Sequence, residues 1–270
     1  MIWTVVTVAV ALVLGLPTLY LTFRSTVSAE SDTDLIASEA ARRPGLRAVS
    51  MSAYMSGPVV DGKETEVGVP DKPVTGLRGP VVDVLVDNRA PGPAIITQIR
   101  LEVVEAGTID ECRGTGGPLG WSRDYDIKVP HPLPSTPLTI VTDIEEPLSV
   151  PANETDRFLL LVGPEEPEPQ SIWYSVFDAW ILQPDLKDVP IGRVAVVTTG
   201  SSAGIYLADD ESSQWVDTIT YRNPDGTWID GTQECLAEQS ATVKRVLAME
   251  DTVFQKELVT LGELLAAKGF

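Results

Sequence analysis

The chain has 270 residues and a formal net charge of −19, with 39 acidic side chains against 20 basic ones. This charge opposes binding to nucleic acid and to anionic lipid headgroups, which carry the same sign, so we expect no nucleic-acid partner. Hydrophobic residues make up 43% of the chain, which excludes a wholly disordered protein and is enough for a folded body with a real core.

The first predicted element is a membrane helix over residues 2–23, which read IWTVVTVAVALVLGLPTLYLTF and contain no charged side chain. As a helix this run is about 30 Å long, the thickness of a bilayer's hydrocarbon core. A cleaved signal peptide is the open alternative, because Val27-Ser28-Ala29 is an acceptable cleavage pattern. The run is longer than a typical signal core and lacks a basic leading segment, so we predict a retained single-pass anchor.

Residues 24–44 are polar and rich in alanine and serine, which is typical of a stem or linker. Two signals conflict on which side of the membrane the body lies. The positive-inside rule favours the cytoplasm, since Arg24 directly follows the helix. Cys112 and Cys235 favour an oxidising compartment, because two cysteines in loop-like sequence are typical of one long-range disulfide. We expect that disulfide and an extracytoplasmic body.

Residues 45–199 are predicted to form an antiparallel β-sandwich-like domain, since short strand candidates recur roughly every 10 to 15 residues with turn residues between them. The clearest are Pro80–Asn88 and Ala94–Val104, in which apolar and polar residues alternate. Because one short turn separates them, we predict an antiparallel hairpin with one buried face. In the second strand that face is formed by Ile95, Ile99, Leu101 and Val103.

Further strands are predicted where apolar residues alternate or run together between turn signals. They cover residues 47–53, 125–129, 138–144, 157–162, 172–182 and 192–199. The run 172–182 carries Trp173 and Phe177 on one parity, with Tyr174 and Trp180 on the other. A sugar-binding face is one interpretation of these aromatic residues, but a place in the core for at least one pair is the stronger one.

Residues 200–239 are predicted as a loop and hairpin extension, with Asn223-Pro224-Asp225-Gly226 as the hairpin turn. Residues 240–268 are predicted to form one amphipathic helix, because apolar residues recur at spacings of three and four. We expect this helix to pack on the body rather than dock a partner. The predicted fold class is therefore mainly β, with an N-terminal membrane helix and a C-terminal amphipathic helix.

Two stretches of the body resemble known proteins: DVLVDNRAPGPAIITQIRLEV at residues 83–103 and VPANETDRFLLLV at residues 150–162. Together with the apolar run at residues 2–23, they look similar to membrane-anchored β-sandwich proteins of high-GC bacteria. The resemblance covers about a third of the chain, and its motifs are ordinary strand and turn patterns. It implies a fold and a membrane location, and it implies no activity.

Residues 200–204 match the GxSxG pattern that exposes a nucleophilic serine in hydrolases. Ser202 would be the nucleophile and His131, the only histidine, its base. The histidine precedes the serine, however, whereas it follows the serine in hydrolases with this motif, and the residues after Ser202 lack helical character. A glycine-serine loop explains the same pattern without chemistry, so we predict no catalytic residue.

No zinc site is predicted, because one histidine and two distant cysteines do not supply a set of ligands. Calcium is the open alternative, either at Asn223, Asp225 and Asp230 or at residues 209–211. The first set departs from the EF-hand pattern after its glycine, and a plain turn explains it equally well. We therefore predict no metal and no cofactor, and the sequence does not define a small-molecule ligand.

Together these features predict a non-enzymatic, single-pass membrane protein of the cell envelope. Its partners would be the membrane, through residues 2–23, and another protein, through the body or the C-terminal helix. Two alternatives stay open. One is a surface serine hydrolase that uses Ser202, and the other is a cytoplasmic-facing membrane scaffold or sensor, which Arg24 favours.

Overall fold

The computed structural model describes residues 45–55, 60–64, 72–77, 79–109, 112, 121–123, 126–165, 172–183, 187–198, 205–207, 215–217 and 222–270. The anchor predicted over residues 2–23 and the stem predicted over residues 24–44 lie outside these ranges. In the part of the chain that the structure describes, no helix is both long enough and apolar enough to cross a bilayer. All elements below belong to one compact unit, Leu46–Phe270.

The described elements are mostly strands, with two helices near the end. The strands are β1 (Leu46–Tyr54), β2 (Val60–Glu64), β3 (Lys72–Leu77), β4 (Val81–Asn88), β5 (Ala94–Ile109), β6 (Trp121–Arg123), β7 (Ile127–Val129), β8 (Leu138–Val150), β9 (Thr155–Pro164), β10 (Ile172–Leu182), β11 (Val189–Val197), β12 (Ile205–Leu207), β13 (Trp215–Asp217) and β14 (Thr252–Phe254). The helices are α1 (Thr232–Leu247) and α2 (Lys256–Ala267). The prediction of a mainly β fold with a helical C-terminal region is thus confirmed.

Two sheets form the centre of the body. The first has the strand order β1-β4-β9-β7, and the second has the order β14-β11-β10-β5-β8. Most of their pairings are antiparallel, while β7 with β9 and β14 with β11 pair in parallel. Smaller sheets have the orders β3-β2-β6 and β12-β13. The two central sheets pack face to face, because one apolar cluster contains buried side chains from both of them.

The second sheet is covered on both faces along part of its length. Trp173 and Phe177 of β10 point into the cluster between the two sheets. Tyr174 and Val176, of opposite parity, belong to a second cluster that includes the apolar faces of α1 and α2. The helices therefore form a third layer, and β10 is a central strand with both faces buried. Residues on both faces of this aromatic strand therefore belong to the core.

The predicted hairpin between residues 80–88 and 94–104 is wrong. β4 pairs with β1 and β9 in the first sheet, whereas β5 pairs with β10 and β8 in the second. The turn between them crosses from one sheet to the other. Alternation in sequence reports that one face of a strand is buried, but it does not identify the neighbouring strand.

Asn88 fixes this crossing between the sheets. Its Nδ2 donates to the carbonyl oxygens of Gly92 and Val150, both at 2.9 Å, and its Oδ1 accepts from the backbone N–H of Ala90 at 3.0 Å. Val150 ends β8 in the second sheet, so this fully buried side chain ties the two sheets together. A buried amide with these partners satisfies backbone groups that a turn would otherwise leave unpaired.

The predicted buried face of β5 is wrong at its first position. Ile96 is fully buried, whereas Ile95 is exposed. The pairing of β5 with β8 is interrupted here: one residue separates Ile96 from Gln98 in β5, whereas four residues separate their partners Leu148 and Asp143 in β8. The parity of the buried residues of β5 changes at this irregularity, so that Ile99, Leu101 and Val103 are buried as Ile96 is.

The single helix predicted over residues 240–268 is interrupted. α1 already begins at Thr232, within the segment predicted as a hairpin extension, and ends at Leu247. Asp251 then adopts a positive φ of 52°, and β14 joins the edge of the second sheet before α2 begins. Gln255 completes this junction, because its buried Oε1 accepts from the backbone N–H of Val197 at 2.8 Å. The β-branched and aromatic residues of β14 favour a strand over a continuous helix.

Candidate functional site

A disulfide joins Cys112 to Cys235, as the sequence predicted. Their Cα atoms are 5.4 Å apart, and 123 positions separate them in the chain. Cys112 follows β5, and Cys235 lies in the first turn of α1. Nε2 of Gln239, one turn further along α1, lies 2.9 Å from Sγ of Cys112. The bond therefore fastens the first helix to the end of the longest strand in the second sheet.

A polar cluster holds the other end of α1 against the same sheet. The Tyr174 hydroxyl donates to Oε1 of Glu105 at 2.8 Å, and the Arg245 guanidinium donates to the same oxygen. Burial and the hydrogen bond to Glu105 raise the pKa of Tyr174, so its proton is retained more firmly than usual. The cluster therefore binds the helix to the sheet, and it offers no activated nucleophile.

Two buried aspartates lie on the outer face of the first sheet. Asp83 accepts from Nε of Arg157 at 2.7 Å and from a second nitrogen of the same guanidinium. Asp87, only 2% exposed, accepts from Arg47 and Arg89 at 2.7 to 3.0 Å. These hydrogen bonds, that from Arg89 foremost, lower the pKa of Asp87 despite the opposing effect of burial. Both carboxylates are thus held in structural pairs with arginine.

Two adjoining clefts, with volumes of about 270 and 490 Å³, lie beside β11, and the smaller one also borders β1. They share Gly192, Arg193 and Asp251 in their linings. Arg193 donates to both carboxylate oxygens of Asp178, at 2.9 and 2.8 Å, and this pairing raises the pKa of Arg193. The clefts thus contain a cation whose charge is already balanced. Among the described residues no three His, Cys, Asp or Glu side chains are grouped closely enough to hold a metal ion.

The longest open strand border of the second sheet belongs to β8. We call residues 138–143 of this strand the β8 edge. One side of β8 pairs with β5, from Leu138 opposite Val103 to Asp143 opposite Gln98. The other side pairs with no strand that the structure describes. Val141 at its middle is 51% exposed. Within the described part of the chain, the β8 edge therefore presents backbone groups that no strand pairs with, together with apolar side chains.

The hydrolase alternative involves Ser202 and His131. Ser202 lies outside the described residues, so its position relative to His131 is not defined. His131 lies in the loop between β7 and β8 and is half-buried. Its Nδ1 atom is buried and has no hydrogen-bond partner among the described residues.

Asn223 and Asp225, two residues of the calcium alternative, form the turn that the sequence also indicated. The backbone N–H and hydroxyl of Thr227 donate to Oδ1 of Asp225 at 2.9 and 2.6 Å, and Nδ2 of Asn223 donates to the same hydroxyl oxygen at 3.0 Å. The bonds from Thr227 lower the pKa of Asp225. The second calcium candidate, residues 209–211, lies outside the described residues. The turn is thus held by its own side chains.

The sequence predicted the strand at residues 138–144 but did not identify it as a sheet border. Pro147 is the residue in the sequence that could have indicated a border, because proline within a strand is confined to edges and bulges. No protein-family model, curated protein or solved structure matches this chain. Among the described features, the disulfide and the β8 edge bear most directly on function.

Proposed function

We propose that this chain is a single-pass membrane protein whose β body lies on the extracytoplasmic side and binds another protein. The observation that carries the location is the disulfide between Cys112 and Cys235. Such bonds persist in oxidising compartments and are rare where thiols are kept reduced. The uncharged run at residues 2–23 supports the anchor, since it matches the hydrocarbon thickness of a bilayer.

The proposal of a binding role, rather than a catalytic one, rests on how the charged residues are used. Asp83, Asp87, Asp178 and Glu105 each hold a guanidinium that fixes one strand or helix to another. In ion pairs of this kind the carboxylates have a structural role, because they hold the strands and helices together. The β8 edge, in contrast, has backbone groups and an exposed apolar side chain that the described framework does not use, which favours recognition of a partner.

Cysteine labelling in intact cells tests the location. A membrane-impermeant maleimide should label the chain only after reduction, because the outward-facing thiols are paired. Labelling that requires lysis but no reductant would place the body in the cytoplasm and contradict the proposal. A Cys235→Ser variant, which leaves Cys112 unpaired, provides the control and should be labelled without reduction. Extraction of membranes at alkaline pH then tests the anchor, because a chain cleaved after Ala29 would be released.

Site-specific photo-crosslinking tests the binding role. A photoreactive residue is placed at Val49, Val141 or Val259, which lie on different elements and are all exposed. We expect a discrete adduct of defined mass from at least one position in intact cells. The absence of any adduct, with the chain correctly folded in the membrane, would contradict a protein-binding role for these surfaces.

A further inference from the structure

We propose that the β8 edge accepts an extended segment of the partner protein, bearing lysine or arginine, as an additional strand of the second sheet. This inference rests on the proposed binding function and deepens it, since it names the surface, the mode of contact and the chemistry of the partner. The segment would pair with residues 138–143 on the side opposite β5.

The backbone of β8 provides the hydrogen-bonding groups for strand addition. In an antiparallel ladder, alternate residues direct their N–H and C=O groups to one neighbour and the remaining residues direct them to the other side. β8 uses one side for β5 in an unbroken register from Leu138 to Asp143. Six residues are a typical strand length, so this border is long enough to pair with a whole added strand.

The two halves of β8 differ in how they are protected against pairing. The C-terminal half has Pro147, a register shift opposite Ile96 and Gln98, and the exposed Glu146, which are the usual devices that block an open edge. From Leu138 to Thr142 the sequence is LTIVT, without charge or proline. An unprotected apolar border next to a protected one indicates that the first half is kept open for pairing.

The side chains along this border would receive the added strand on both faces. Leu138 and Ile140 pack against the core between the sheets but are only half-buried, so apolar side chains of an added strand would complete their burial. Val141 lies on the opposite face, next to Arg100 across the ladder. A strand with apolar residues at alternate positions would fit this pattern.

The charges beside the border favour a basic segment over a second copy of this chain. Asp143 is exposed, and Glu102 lies opposite Thr139 in the register. Arg100 is already paired with Asp188 at 2.6 Å and lies over the ring of Trp180 at 4.6 Å. A second copy would bring the same acids and a net charge of −19, which opposes self-association. Lysine or arginine on the partner would complement these carboxylates.

A synthetic peptide of alternating valine with lysine or threonine, acetyl-Lys-Val-Thr-Val-Lys-Val-Thr-Val-Lys-amide, tests the mode of contact. It is added to the full chain in uncharged detergent micelles, and binding is measured by fluorescence anisotropy. The matched control carries N-methyl groups on alternate residues of the peptide, so it keeps the side chains and charge but loses the donors along one edge. We expect binding of the control to be weaker by about tenfold or more.

Hydrogen exchange and substitution then locate the contact. Amides within residues 138–143 should exchange more slowly with the peptide bound. Val141→Lys should weaken binding, whereas Val259→Lys on α2, at a position that is 38% exposed, should leave it unchanged. Equal binding of the N-methylated peptide, or protection elsewhere in the chain, would overturn the inference. A dimer that depends on concentration and is lost in Val141→Lys would show that a second copy is the occupant, which also overturns it.

The outcome of this experiment is separable from that of the proposed function. Crosslinks in cells from Val49 or Val259, together with no peptide binding at the β8 edge, would leave the binding function standing and remove the inference. The absence of crosslinks from all positions would remove the binding function, whatever the peptide does in vitro.

Discussion

Tyr174 and Gly107 face each other across β10 and β5, and the tyrosine side chain covers the glycine. A β-carbon built on Gly107 would lie 3.0 Å from ring atom Cε1 and 3.0 Å from the hydroxyl oxygen of Tyr174. The glycine therefore leaves the space through which the hydroxyl reaches Glu105, two residues earlier on β5. Aromatic side chains that cover a strand glycine in this way compensate for its weak strand propensity.

Gly107→Ala is expected to destabilise the body by about 1–3 kcal/mol, because the added methyl group displaces a packed ring and loosens its hydrogen bond. The free energy of unfolding from denaturant titration measures this loss. Gly92→Ala is the matched control, since a β-carbon there would meet no atom within 4 Å beyond its chain neighbours, and we expect a change of at most about 0.5 kcal/mol. Equal effects of the two substitutions would contradict the packing argument.

Stability at alkaline pH should depend on Tyr174. Its pKa is raised in the folded state by burial and by the bond to Glu105, so the folded protein resists loss of the proton while the unfolded chain does not. The contribution is fully present below pH 10.0, the ordinary pKa of tyrosine, and is lost as pH rises through the raised value. Tyr174→Phe should therefore be less stable than the parent near neutral pH and show a smaller decrease above pH 10. Thermal unfolding gives the change of melting temperature with pH for the parent and for the variant. Equal changes in the two proteins would be inconsistent with the assignment.

Stability at acidic pH should depend on Asp87 in the opposite sense. Hydrogen bonds from Arg89 and Arg47 lower its pKa below the ordinary value of 3.8. This contribution is present above that value and is lost as pH falls through the lowered pKa. Asp87→Asn should therefore lower the melting temperature at neutral pH, and the difference from the parent should shrink as the pH approaches 2. Glu146→Gln, at an exposed position of β8, provides a control for removing one acidic charge.

The sequence predicted the positions of strands better than their neighbours. β4, β5, β9 and β10 begin or end within a few residues of the predicted bounds, because turn residues and alternation are local signals. That β4 and β5 lie in different sheets depends on the path of one turn and on the amide of Asn88, which alternation does not encode. The irregularity near Ile96 is a similar case, since alternation within β5 does not report an interruption whose extra residues lie in the neighbouring strand β8.

The candidate sites also depend on contacts between distant segments, which local sequence patterns do not encode. Asp83 and Asp87 alternate with the valines of β4 in the sequence, but their burial depends on arginines outside this strand, namely Arg157, Arg47 and Arg89. The β8 edge depends on strand order, which is a property of the whole sheet. The disulfide could be predicted because the chain contains only two cysteines, so only one pairing is available within it.

Loss of the disulfide provides the largest predicted effect on stability. The loop closed by Cys112 and Cys235 spans 123 positions, for which chain entropy gives a stabilisation of roughly 5 kcal/mol. Replacement of both cysteines by serine should therefore remove much of the free energy of unfolding, which is about 5–15 kcal/mol for most domains. Denaturant titration of the parent, the double variant and the reduced parent measures this loss.

Since the bond fastens α1 to the end of β5, hydrogen exchange should accelerate first in α1. Faster exchange spread equally over β4 and β9 would instead indicate that the bond supports the whole body.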